Sequence, residues 1–230
     1  MSNRRSEVQA MKHGDPQILD APAPARSGVS MRLTGIVITA LMLASAAMLG
    51  PAFAADATWR IDPAHSSAEF AIKHFALSSV RGTIPVKAGS IALAPGKDVP
   101  SSVSATLDVS GIDTKNDDRN KDLRSSDWFD TDKYPTGSFV STAIAGTDGT
   151  KFTITGNLTL HGVTKSVTLQ AALEGRGIGG RGEKRVAYSA TTTIHRKDFG
   201  LANIATNATG ALVVGDDADI SLEVEGVASP

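Results

Sequence analysis

From Thr58 onward the chain alternates apolar and polar residues with a period of two, the spacing that puts every second side chain of an extended strand on one face. The apolar members of the early runs are Ala68, Phe70 and Ile72, then Val80, Ile84 and Val86, then Val103, Leu107 and Val109. The pattern resumes with Phe152, Ile154, Leu158 and Leu160, with Val167, Leu169, Ala171 and Leu173, with Val186, Tyr188, Thr192 and Ile194, and with Ala218, Ile220, Leu222 and Val224. Between the runs lie Ala94-Pro95-Gly96-Lys97, Gly146-Thr147-Asp148-Gly149 and the glycine-rich Gly175 to Gly182, turn signals at the spacing of sequential antiparallel hairpins. About eight such strands in series make a meander, and an open meander would expose two long edges that closure into a barrel removes. Eight strands enclose room for side chains or one small ligand. The predicted fold class is therefore all-β, an antiparallel eight-stranded β-barrel.

Two segments break the alternation. Asn116 to Ser125 carries Leu123 as its one apolar residue in a charged run and predicts a short helix over residues 116–125, capped by Asp113 or Thr114. Lys73 to Ser79 predicts a turn of helix. Both fall where the mouth of a barrel would be covered.

The chain divides into three parts. Residues 1–30 are polar, rich in Ala, Pro and Arg, and without apolar periodicity, the composition of a disordered extension or of a misassigned start with Met31 as initiator. Residues 31–54 have the layout of a cleavable secretory signal: Arg32, an apolar run from Leu33 to Leu49, and Ala52-Phe53-Ala54 before the cut. The apolar run is about 17 residues long and ends in small residues, which favours cleavage over a retained span. Residues 55–230 form the domain, and the predicted destination is the periplasm. That part holds 18 Lys and Arg (23 less 5) against 21 Asp and Glu (24 less 3), a net charge near −3 that argues against a nucleic-acid partner. There is no cysteine, so disulfides, thiolate metal sites and cysteine nucleophiles are excluded.

Several motifs invite chemistry and are better read plainly. Gly175-Arg176-Gly177-Ile178-Gly179-Gly180 fits the dinucleotide spacing, but Arg181-Gly182-Glu183-Lys184-Arg185 follows it in place of a helix that would receive a pyrophosphate. His65, His74, His161 and His195 lack metal-ligand spacing, and for His65 and His161 the favoured role is a hydrogen-bonded imidazole fixing a strand end. Asp113, Asp117 and Asp118 fail the calcium-loop pattern, with Asp118 at the glycine position and Arg124 at the closing glutamate. Serines near Asp62 and His65 lack a nucleophile elbow. Asn157-Leu158-Thr159 and Asn207-Ala208-Thr209 are sequons by pattern alone. No catalytic residue, metal site or cofactor is assigned.

The stretch Arg119 to Phe139 is different, since Leu123, Trp128, Phe129, Tyr134 and Phe139 are interleaved with Arg119, Arg124, Asp127 and Asp130, which could pair around them. It suits a lid, either as a plug for one barrel end or as a plug that also walls a ligand.

Trp59-x-Ile61-Asp62-x-x-His65-Ser66, Phe70-x-Ile72-Lys73-His74, Val80-x-Gly82, Ile112-Asp113-Thr114, Leu160-His161-Gly162-Val163-Thr164-Lys165 and Arg196-x-Asp198-Phe199-Gly200 occur here in order. Together they resemble the YceI-like family over Thr58 to Val227. Where the family reads Arg-Asp-x-His-Leu-Arg-Ser, this chain has Arg119-Asn120-Lys121-Asp122-Leu123-Arg124-Ser125. The resemblance implies an elongated, lipocalin-like barrel whose apolar pore holds an isoprenoid lipid, such as a polyprenyl phosphate or a quinone tail, without catalysis. Strand phase and the resemblance together put Phe70, Ile72, Phe75, Leu107, Leu123, Trp128, Phe129 and Phe139 on the pore wall. Arg81, Arg119 and Arg124 become candidates for the polar head, because guanidinium forks suit phosphate or quinone oxygens. A transient contact with a membrane or lipid donor and a homodimer are compatible with this reading. Two other classes stay open: a hydrolase or isoprenoid-modifying enzyme, which requires Ser, His and carboxylate within hydrogen-bond reach, and a solid-barrel, stress-related interaction module with no pore.

Overall fold

The computed structural model describes residues 56–203, 205, 206, 208, 210 and 212–229. The extension over 1–30, the signal over 31–54 and the sequon residues Asn207 and Thr209 lie outside the described residues. Nine strands follow in order: β1 (Ala57–Ile61), β2 (Ser67–His74), β3 (Ser78–Leu93), β4 (Ser102–Asp108), β5 (Thr136–Ala145), β6 (Phe152–Leu160), β7 (Val163–Ile178), β8 (Lys184–His195) and β9 (Val214–Ala228). Every pairing between them is antiparallel, each strand from β2 to β9 pairs with the next, and β9 returns to β1 and β2, so the sheet closes.

The nine strands make eight staves. β1 meets β3 through Arg60↔Ser90 and β9 through Arg60↔Val227, while β2 meets the same two neighbours through Ser67↔Pro85 and Ser67↔Glu223. They are one stave interrupted by a 3-10 turn, Pro63–His65. Asp62 caps that turn through Ala64 N–H at 3.1 Å, and its other oxygen lies 3.0 Å from His65 Nδ1. Arg185 of β8 bonds to Asp62 and to Glu225 of β9, supplying positive charge between the two carboxylates and clasping the break to its neighbours. The hydrogen bond to His65 is the first cause holding the Asp62 carboxyl below its usual pKa. His161 likewise sits at a strand end, Nδ1 lying 3.3 Å from the Phe199 carbonyl.

Between β4 and β5 the chain leaves the wall. A 3-10 turn (Val109–Gly111) leads to an isolated bridge, Thr83↔Asp113, and then to helix α1 (Asp117–Arg124). The helix falls inside the predicted segment, but its cap is Asn116, whose side chain accepts from Arg119 N–H at 2.9 Å. Asp113 is taken up by the bridge, and Thr114 is buried against Asn120, which offers one amide oxygen to both the N–H and the hydroxyl of Thr114 at 2.7 Å. Lys73 to Ser79 is no turn of helix: β2 and β3 pair up to His74↔Ser78 and force a tight hairpin at Phe75-Ala76-Leu77. The glycine-rich segment is the β7–β8 hairpin, and β8 follows it directly.

The inward faces carry the predicted alternation. One row of cross-strand neighbours runs Ile84, Ala68, Leu222, Ala190, Ala171, Phe152 across six staves. Three of the six are alanines, too short to meet at the axis, and the barrel is hollow at that level. Glycines seat the aromatic rings against the wall: a Cβ at Gly82 would lie 2.5 Å from the Phe70 ring, and one at Gly156 would lie 2.4 Å from that of Phe139.

Candidate functional site

Two cavities lie in series inside the barrel. The inner chamber, about 150 Å³, is lined by Ile61, Ala68, Val86, Ile91, Ala105, Leu107, Phe139, Leu169, Ala171, Ala190 and Leu222 among others, nearly all apolar. Its deep end is marked by Tyr188, whose hydroxyl donates to the Asp98 carbonyl at 2.8 Å and whose pKa is pushed up to about 12 by burial. The outer chamber, about 440 Å³, combines apolar side chains from β2, β3, β8 and β9 with the lid residues Leu123, Trp128 and Phe129. Phe70, Ile84, Leu160, Ile194 and Ile220 line both chambers and form the waist where they meet. The inner chamber presents almost no polar surface, although Glu69, Ser189 and Thr192 belong to its lining, whereas Lys73, His74, Arg119, Asp122, Arg196 and Asn203 border the outer chamber.

Arg196 organises this end. It is 4% exposed and follows β8 in a 3-10 turn, Arg196–Phe199, closed by Gly200 in the left-handed region at φ 75°. Its Nε donates to the Gly215 carbonyl at 2.8 Å, Nη2 to those of Asn203 and Val214 at 3.0 and 3.1 Å, and Nη1 to that of Leu201. The guanidinium stands 5.4 Å from the centre of the Trp128 ring, in cation–π range. No described carboxylate forms a salt bridge with it, and burial lowers its pKa from the ordinary guanidinium value. Carbonyl dipoles satisfy its N–H groups and the Asp216 carboxylate acts on it only through space, without a salt bridge, so the buried guanidinium leaves a positive potential on the chamber wall.

The chain is 36% identical over 195 residues to Protein YceI of Shigella flexneri, a match covering 85% of this chain and 96% of that relative. The model of the YceI-like domain matches residues 59–226. The chain belongs to the YceI-like family. The crystal structure of the Campylobacter jejuni YceI protein, 28% identical, superposes with a TM-score of 0.60 over 69% of this chain and 90% of that one. A polyisoprenoid binding domain from Saccharophagus degradans, implicated in plant cell wall breakdown, is 15% identical and shares the fold with a TM-score of 0.55 over 76% of this chain and 99% of its own.

Within this YceI-like barrel the residues singled out from the sequence separate into two groups. Phe70, Ile72, Leu107, Leu123, Trp128, Phe129, Phe139 and Arg119 line one or both chambers. Phe75, Arg81 and Arg124 line neither. Phe75 is carried past the wall by the hairpin turn and is 38% exposed. Arg81 pairs with Ala71, between Phe70 and Ile72 that face inward, so the pleat turns it outward and it is exposed. Arg124 donates to the Ile112 carbonyl at 3.4 Å and serves the lid. Neither Arg119 nor Arg124 forms a salt bridge with Asp127 or Asp130 among the described residues; Arg119 instead donates through Nε and Nη2 to Thr114 at 2.8 Å. Asn120, one of the departures from the family pattern, is 6% exposed and holds Asp113 and Thr114 together. Asp122, the other, borders the outer chamber.

Arg196 and Lys73 are among the chamber residues that strand-by-strand reading missed, as are His74, Asp122 and Asn203. The first two were visible in the sequence as parts of shared motifs, but nothing in their spacing shows that one is buried and the other on the rim. Asp62 and His65 approach each other as a hydrolase would need, yet they stand on the wall at the stave break, and Ser66 Oγ accepts from Glu225 N–H at 3.0 Å.

Proposed function

We propose that this barrel binds an isoprenoid lipid, with the prenyl tail threaded through the waist into the inner chamber and the polar head held under the lid. The observation that carries the reading is the order of the two chambers: an apolar one at depth, then a larger one bordered by Arg119 and Arg196. A tail is held by burial at about 0.8 kcal/mol per CH₂, and a phosphate or quinone oxygen is suited by the cationic side of the outer chamber. That a polyisoprenoid binding domain shares this fold supports the same reading.

Delipidated protein titrated with a prenyl quinone is expected to bind saturably. Trp128→Ala is expected to weaken binding roughly tenfold, since losing part of an indole contact of about 1.5 to 3 kcal/mol corresponds to that factor or more. Absence of binding sinks the reading, and unchanged binding in Trp128→Ala removes the lid from the wall. The protein is further proposed to act in the periplasm, on the strength of the signal-like segment 31–54. The mature N-terminus, read by mass spectrometry of exported protein, is expected at Ala55; an uncut chain would contradict it.

A further inference from the structure

The hairpin between β2 and β3 ends in three apolar residues, Phe75-Ala76-Leu77, closed by a hydrogen bond from Leu77 N–H to the His74 carbonyl at 3.0 Å. Phe75 and Ala76 both have positive φ, 52° and 58°. Consecutive positive φ angles belong to type I′ turns, where Asn-Gly fits with least strain. Leu77 is 82% exposed. In water this tip therefore opposes folding twice, through left-handed backbone at two side-chain-bearing residues and through bare apolar surface.

Three further observations point to a lipid surface as what covers it. The tip stands on the rim of the outer chamber: Lys73, His74 and Val80 at its root line that chamber, as does Val213, whose carbonyl accepts from Phe75 N–H at 2.8 Å. The hairpin from Phe70 to Gly82 contains no Asp or Glu and carries Lys73 and Arg81, and the acidic residues of the adjoining β9 stretch, Asp216, Asp217 and Asp219, are taken up by Lys197, His195 and Thr193. The outward Arg81 thus flanks an apolar tip with positive charge, the pairing that suits an anionic bilayer interface. The tip is also small, a few side chains on a protrusion, whereas a stable protein interface buries upwards of about 1,000 Å².

We propose that Phe75-Ala76-Leu77 is a bilayer-docking tip that sets the mouth of the outer chamber against an anionic lipid surface, so that lipid passes between membrane and tunnel without crossing water. The passage rests on the isoprenoid reading above; the docking does not. The test is co-sedimentation of the mature protein with phosphatidylethanolamine/phosphatidylglycerol vesicles, using the triple variant Phe75→Asn, Ala76→Gly, Leu77→Ser. That variant keeps the turn and relieves its strain, so it is expected to melt no lower than the unaltered protein. It is expected to lose vesicle binding at least tenfold. It should also take up prenyl quinone from detergent solution at the ordinary rate, but from vesicles at least tenfold more slowly. Vesicle binding equal in the two proteins, or absent in both, overturns the docking tip. So does a dimer that Leu77→Ser dissolves, which would assign the tip to a second copy of the chain. If the unaltered protein takes up no quinone even from detergent, the isoprenoid reading falls and the passage with it, while co-sedimentation still decides the docking.

Discussion

Ala190→Phe is expected to reduce binding of a prenyl quinone by roughly a thousandfold while raising the melting temperature. Ala190 faces Ala171 across the β7–β8 ladder and Leu222 across β8–β9, at the level where three alanines open the barrel. The inner chamber there is about 150 Å³, a volume comparable to cavities that hold one benzene. A phenyl group on residue 190 is that same benzene supplied covalently. It displaces about five or six carbons of a tail, each contributing about 0.8 kcal/mol, so about 4 kcal/mol of binding is lost. The ring itself becomes buried, for a gain of about 1 to 2 kcal/mol once rotamer entropy is subtracted. In a domain of this size that is a rise of about 2 to 8 °C. Titration and a thermal melt on the same sample read both effects. Binding that survives while the melting temperature rises would mean that the tail never enters the inner chamber.

Arg196→Ala is expected to destabilise the fold by about 3 to 5 kcal/mol in urea unfolding. The side chain satisfies the carbonyls of Leu201, Asn203, Val214 and Gly215 at once, and each is left without its donor on truncation. A buried acceptor deprived of its partner costs about 1 to 3 kcal/mol, discounted here because Asn203 lies at the surface and water reaches it. Trp128 also loses the cation beneath its ring. Arg196→Lys is expected to recover less than half of the loss, since one ammonium cannot span carbonyls that a planar fork reaches in several directions. A loss below about 1 kcal/mol would show that water replaces the guanidinium at little cost.

These two positions also mark what the sequence makes legible. Alternation along Val186, Tyr188, Thr192 and Ile194 reveals which face of β8 is inward, because a pleat has a fixed period of two, and the same rule locates the chamber wall on β6, β7 and β9. The lid helix is legible from its charge and its lone Leu123. Arg196 is not, because an arginine after a strand reads as solvent-facing, and its burial comes from carbonyls of a segment up to 19 residues away. The outward turn of Arg81 is legible from the same period, since its neighbour Val80 belongs to the inward run with Ile84 and Val86. Phe75-Ala76 reads as helical in the sequence for a sound local reason: both residues avoid left-handed backbone, and only the pairing of β2 with β3 imposes it. The break between β1 and β2 is likewise tertiary, visible only once both are seen to share β3 and β9 as neighbours.

That shared neighbour has a consequence for how the protein is made. The closing seam joins Trp59 to Ala228 and Phe70 to Ile220, so the first stave waits for the last fifteen-residue strand, Val214–Ala228, before its outer edge is covered. Contacts of such sequence separation form slowly. Until the C-terminal strand emerges, the nascent chain is a curled ribbon with two unsatisfied borders and no interior. The two chambers exist only in the finished molecule, and any premature stop ahead of Val214 yields a sticky sheet rather than a weakened barrel.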